Sequence, residues 1–151
     1  MCRTRSGEAV KQTRNRVKLF LSQTTDSHSE IRVEFGLNDD HLFDGRNRCP
    51  VEFVPTTDLF DLDTWKFRFD EHRPDWWTDG MTDQCVRSFR DDLRPKLDAA
   101  EASGQWAGNL DLSGTPITSL GALTSVGGYL HLSGTQITDI PDGVVNGKIY
   151  Y

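Results

Sequence analysis

Four histidines, three cysteines and twenty-three carboxylates give this chain the groups needed to bind a metal or move a proton. Their spacing argues against both. His28, His41, His72 and His131 lie far apart, and Cys2, Cys49 and Cys85 form no C-x-x-C pair. A zinc site takes its ligands from closely spaced Cys and His residues, so neither a metal nor a cofactor is expected. Asp39-Asp40-His41-x-x-Asp44 has the donor types for a cation, but Asn and Asp are also the ordinary residues of solvated turns. The turn reading is preferred. Asp70-Glu71-His72 reads the same way, as a charged strand end. G-x-S-x-G, a Walker A loop, H-E-x-x-H and an EF-hand loop are all missing from the sequence. A small enzyme with its site near His72 and Trp76 would need distant residues to converge.

Aromatic residues are the next resource. Trp65, Phe67 and Phe69 alternate with Lys66 and Arg68, which predicts a strand with an aromatic inner face and a cationic, wet outer face. Arg73-Pro74-Asp75-Trp76-Trp77 follows as an irregular corner. Its two tryptophans, Trp76 and Trp77, read either as a packing plug or as a possible binding platform, with the plug preferred.

The elements that carry these residues follow from periodicity. Val17, Leu19 and Leu21 alternate, as do Ile31, Val33 and Phe35, predicting an antiparallel pair of strands joined by a polar turn over 22–29. Residues 37–50 read as a loop and Val51–Val54 as a third strand. Met81, Cys85, Phe89 and Leu93 recur every four residues, which predicts a helix capped by Thr78 or Thr82. Pro95 should end or kink it, leaving a second short helix over 96–102 that stops at Ser103-Gly104.

From residue 107 onward the chain repeats itself. Gly108-Asn-Leu-Asp-Leu-Ser-Gly-Thr-Pro-Ile-Thr-Ser-Leu120 returns twenty residues later as Gly128-Tyr-Leu-His-Leu-Ser-Gly-Thr-Gln-Ile-Thr-Asp-Ile140, and a third copy opens at Lys148. Residues two apart in a strand share a face. Leu110 and Leu112, like Leu130 and Leu132, therefore point inward. Ser113-Gly114 and Ser133-Gly134 turn the chain, and Ile117 and Leu120 return along the other side of the core. Asn109, Asp111, Tyr129, His131, Ile149 and Tyr151 then face outward in two short columns, with Asp111 beside His131 and Tyr129 between Asn109 and Ile149.

The repeated Leu-x-Leu-Ser-Gly-Thr-x-Ile-Thr resembles the short leucine-rich repeats of bacterial and phage proteins, with Thr115 and Thr135 where that family carries Asn. Residues 17–97, through the Arg73-to-Trp77 corner, resemble a small module found ahead of such repeats in phage or prophage proteins of unknown role. The resemblance implies an architecture and a binding surface, and the leading reading is a protein-interaction module that binds through the outward face of the strands. The expected fold is α+β: a small, mostly antiparallel sheet with one or two helices, then a solenoid of two coils and a stub. Residues 17–106 would cap the coils of 107–151. Two coils bury too little to offset the entropy of ordering them alone. With no polar unit after the stub, the C-terminal end is expected to support a homo-oligomer.

Charge divides the chain unevenly. Residues 1–16 carry five basic residues and one acidic, a net +4; the other twelve basic and twenty-two acidic residues leave −10, within a total of −6. The basic leader has no apolar period and is expected to be disordered. An acidic body suggests a second function, a phage-type inhibitor that mimics nucleic acid to a host enzyme. Nucleic acid itself is not an expected ligand. No stretch has the roughly 18 apolar residues of a membrane helix, and unpaired cysteines suit a cytoplasmic protein.

Overall fold

A computed structural model describes residues 5–23, 26–37, 47–70, 72–106, 108–137 and 149–150. The chain divides into two compact units, one of Met1–Phe53 with Phe67–Phe89, the other of Val54–Lys66 with Arg90–Tyr151.

The first unit is a four-stranded antiparallel sheet with a helix on each face. Its strands are β1 (Arg5–Thr13), β2 (Arg16–Phe20), β3 (Arg48–Val54) and β4 (Lys66–Phe69), in spatial order β2-β1-β3-β4. Within the segment expected to be a disordered leader, Arg5–Thr13 is an inner strand, with Arg5 to Val10 buried. Its charges are neutralised locally: Asp26 takes a hydrogen bond from Arg5 at 2.9 Å and one from the Ser6 amide at 3.0 Å. β2 pairs with β1, Ala9 facing Leu19 and Lys11 facing Val17, and not with residues 31–35.

That second segment is a helix, α1 (His28–Glu34). It buries His28 and Ile31, three residues apart, and leaves Val33 69% exposed. The period-two reading counted Val33 as inward and overlooked His28. Glu30 in the first turn and Arg32 in the last both suit the helix dipole.

Register gives the sheet two unlike faces. Gly7 faces Val51 and Ala9 faces Cys49, while Ser6 faces Glu52 and Glu8 faces Pro50. The first set lies on the same side as Phe53, which stacks on Phe89 with ring centroids 5.4 Å apart. Phe89 belongs to α2 (Asp79–Ser103), whose first half also buries Met81 and Cys85. The Ser6–Glu8–Glu52 side lies under α1, where Phe20 meets Phe35 at 5.2 Å. α2 runs unbroken through Pro95, so the predicted break and second helix merge into one. Its stop is where the sequence put it: Gly104, at φ 73°, donates to the Ala100 carbonyl.

The second unit holds short parallel ladders. β5 (Gln105–Trp106) pairs with β7 (Ser125–Val126), and β6 (Leu110–Asp111) pairs with β8 (Leu130–His131), each partner twenty residues on. β8 then pairs with β9 (Ile149–Tyr150). Leu110, Leu112, Ile117, Leu120, Leu123, Val126, Leu130 and Leu132 fill the core between strand and return. Each turn is fastened alike, Thr115 Oγ1 donating to the Leu112 carbonyl and Thr135 Oγ1 to that of Leu132, both at 2.7 Å. Gly114 and Gly134 sit at φ 71° and 76°, a conformation side chains oppose. Close stacking also fixes Gly128, where a Cβ would lie 1.9 Å from Asn109 Oδ1.

Candidate functional sites

The charged face of the first unit gathers residues that the sequence gave no reason to group. Glu8 in β1 and Glu52 in β3 are both fully buried, and adjacent antiparallel strands bring them onto one face as diagonal neighbours. His28, the first residue of α1, lies between them. Its Nδ1 is 3.7 Å from Glu8 Oε1, and its Nε2 is 3.9 Å from Glu52 Oε1 and 3.7 Å from Asp70 Oδ2. Asp70 directly follows β4, and its amide donates to the Pro50 carbonyl of β3.

Arginines pair with both glutamates. Arg32 Nη1 donates to Glu8 Oε1 at 3.0 Å, and Arg48 Nε lies 4.0 Å from Glu8 Oε2. Arg68 donates two hydrogen bonds to Glu52 Oε2, from Nε at 2.8 Å and Nη2 at 2.6 Å. The predicted wet cationic face of β4 is therefore turned, at Arg68, onto a buried acid. Glu52 Oε1 is buried and accepts no hydrogen bond among the described residues.

The three carboxyls respond differently to burial. Burial raises Glu8, an effect only partly offset by His28, Arg32 and Arg48. Burial works to raise Glu52 as well, but the adjoining His28 and Asp70 groups and the Arg68 guanidinium outweigh it and bring it to about 2. Asp70 is raised, first by burial and then by its closeness to Glu52. An imidazole bracketed by carboxylates of unlike acidity can pass a proton or, on its Glu52 and Asp70 side, hold a cation.

Of the other sequence candidates in this unit, His72 is exposed. Trp76 and Trp77 are in contact, with ring centroids 5.8 Å apart. Trp77 is a buried plug between Phe67 and Phe69, with centroids at 5.8 and 5.1 Å and its Nε1 donating to Thr82 Oγ1. Trp76 is half-buried, with the Lys11 ammonium 5.8 Å from its ring. Trp65 precedes β4 and belongs to the other unit, where it donates to the Leu59 carbonyl at 3.1 Å. The Asp39–Asp44 motif lies outside the described residues, as does Glu71.

In the second unit the outward face of the strands carries the other candidate surface. Asp111 stands beside His131, with 3.5 Å between Oδ1 and Nδ1, and His131 Nε2 is 3.0 Å from Ser133 Oγ. Asn109 Oδ1 accepts from the Tyr129 amide at 3.0 Å. The third rung departs from the twenty-residue period. Ile149 pairs with Leu130 and Tyr150 with His131, a spacing of nineteen. Ile149 therefore joins the inward row, and Tyr150 takes the outward place expected for Tyr151, which lies outside the described residues. Tyr150 meets Tyr129 at 5.7 Å and His131 at 5.6 Å, both edge to face. A fixed period misses the shift because the chain between β8 and β9 need not match in length the chain between β6 and β8.

Comparison of the chain with protein-family models, curated proteins and solved structures gave no match.

Proposed function

We propose that the protein is a non-catalytic protein-interaction module. In this reading its parallel rungs are leucine-rich-repeat-like coils of bacterial or phage type, and the partner lies against their outward face. The observation that supports it is the aromatic group at the end of the ladder. Tyr129 and Tyr150 are 44% and 43% exposed and lie together on backbone held by parallel hydrogen bonds. Tyrosine carries a large contact area on only two side-chain torsions, so it loses little entropy on binding. Asp111 and His131 beside them supply directional polar contacts. A rigid row of aromatic and polar side chains is the usual contact surface of stacked repeats.

A photo-crosslinking amino acid at position 129 of the full chain tests this in a bacterial lysate. The control carries the same group at Thr118, exposed on the return segment. A discrete adduct from position 129, absent from 118 and lost when His131→Ala and Tyr150→Ser are added, supports the proposal. Equal labelling from both positions, or none from either, overturns it.

A further inference from the structure

We infer that the first unit binds one divalent transition-metal cation, of the zinc or manganese class, between His28 Nε2, Glu52 Oε1 and Asp70 Oδ2. The three donor atoms lie within 4.8 Å of one another. A cation about 2.1 Å from each donor sets neighbouring donors roughly 3.0–3.4 Å apart, or about 4.2 Å when they are opposed. The observed 3.9 Å from His28 to Glu52 and 3.7 Å to Asp70 need only small adjustments to meet those values.

Glu52 carries the inference beyond a cluster of acids. Its side chain is fully buried, and Oε1 is directed at this triangle without a hydrogen bond among the described residues, while Arg68 occupies Oε2. Leaving a buried carboxylate oxygen unmatched is costly. A cation at the centre of the triangle satisfies it, and Arg68 on the opposite oxygen fixes the carboxylate's orientation.

The surroundings of the imidazole fit the same role. Metal-bound histidines commonly have a carboxylate at their second nitrogen, which fixes ring orientation and raises ligand basicity. Glu8 Oε1, 3.7 Å from Nδ1, holds that place and is itself held by Arg32. One imidazole with two carboxylates suits zinc, manganese or iron better than magnesium or calcium, which favour all-oxygen sets. The ligands come from α1, β3 and the residue after β4, so the ion would fasten the helix to the sheet. Asp70, with 26% of its side chain exposed, marks the side on which water completes the coordination.

The test is calorimetric titration of chelator-treated full-length protein with Zn2+, Mn2+ and Mg2+, each paired with a thermal melt. One Zn2+ or Mn2+ per chain and a melt raised by several degrees at saturation are expected. Asp70→Asn, at the accessible edge, should keep the metal-free melt and weaken binding at least tenfold. His72→Ala, an exposed histidine nearby in sequence, should change neither. Absence of binding by Zn2+ and Mn2+, binding equally strong in Asp70→Asn, or an equal response to Mg2+ would each overturn the assignment.

Discussion

One unit buries charge where the other buries aliphatic side chains. The first unit encloses Arg5, Glu8 and Glu52 at 4%, 0% and 0% exposure, whereas the interior of the second unit is made of Leu110, Leu112, Ile117, Leu130 and their neighbours. The two interiors depend on different things. A buried ion cluster holds only while every member keeps its partner, because desolvation roughly cancels the attraction and a lone charge is left at full cost. An aliphatic stack loses stability in proportion to the volume removed, whichever residue is trimmed. The first arrangement specifies chemistry; the second specifies a surface.

Removing one ion should separate the two interiors most strongly. Glu52→Ala strips Arg68 of its acceptor and leaves His28 facing a cavity, so a loss of about 3–5 kcal/mol is expected in urea unfolding. Glu52→Gln separates charge from shape. The native carboxyl lies at about 2, below the ordinary 4.5, so its stabilisation is present above pH 4.5 and is lost as pH falls toward 2. Glu8 and Asp70 are raised and work the other way, since protonation relieves their burial. The Gln variant should therefore lose less stability than wild type between pH 5 and pH 2.5. Parallel acid limbs for the two proteins would remove Glu52 from the account.

The aliphatic interior sets the next scale. Leu130 is fully buried on the middle rung of the ladder, and Leu130→Ala should cost about 2–5 kcal/mol by urea midpoint. Unlike the loss at Glu52, it should barely change with pH. A strong pH dependence of the Leu130→Ala penalty would mean that the two interiors are not energetically distinct.

This contrast also explains which parts were legible in the sequence. Leu110, Leu130 and the turn threonines repeat at fixed spacing, so strand, turn and inward face could all be read from one line of text. The helix at Met81–Leu93 showed through for the same reason, its apolar residues recurring every four. Nothing repeats in the charged cluster. Glu8 lay in a basic run that read as solvated, Arg68 alternated with aromatics and read as wet, and His28 sat in what looked like a turn. Charge usually marks the surface, and only strand register brings Glu8 and Glu52 together. The signal that could have helped was weak: a single acid between apolar residues in Val51-Glu-Phe-Val says only that its neighbours are buried.

A smaller effect is expected at the turns. Thr115 Oγ1 donates to the Leu112 carbonyl in the interior of the second unit, and the Thr115 amide donates to the same oxygen at 3.1 Å. Thr115→Val removes one of these two bonds and keeps the shape, so about 0.5–1.5 kcal/mol should be lost in the same urea experiment. A cost above 3 kcal/mol would show that the hydroxyl holds the turn by itself.

The smallest differences test the register at the last rung. A strict period of twenty would place Ile149 outward beside Tyr129, with Tyr150 in the core. The ladder instead puts Ile149 against Leu130 and Tyr150 against His131. Ile149 is half-buried and Tyr150 is 43% exposed. Ile149→Ala should then cost about 1 kcal/mol, partial burial of a few methylenes at the edge of a stack. Tyr150→Ser gives up only edge-to-face contact with Tyr129 and His131, and less than about 0.5 kcal/mol is expected at such a surface position. His131→Ala belongs in the same range, since its pairing with Asp111 is partly solvent-screened. Chemical denaturation of the three variants side by side gives the ranking. A one-residue slip exchanges inward and outward side chains along a whole strand, so a larger loss for Tyr150→Ser than for Ile149→Ala would restore the twenty-residue spacing. It would also move Tyr150 out of the proposed contact surface.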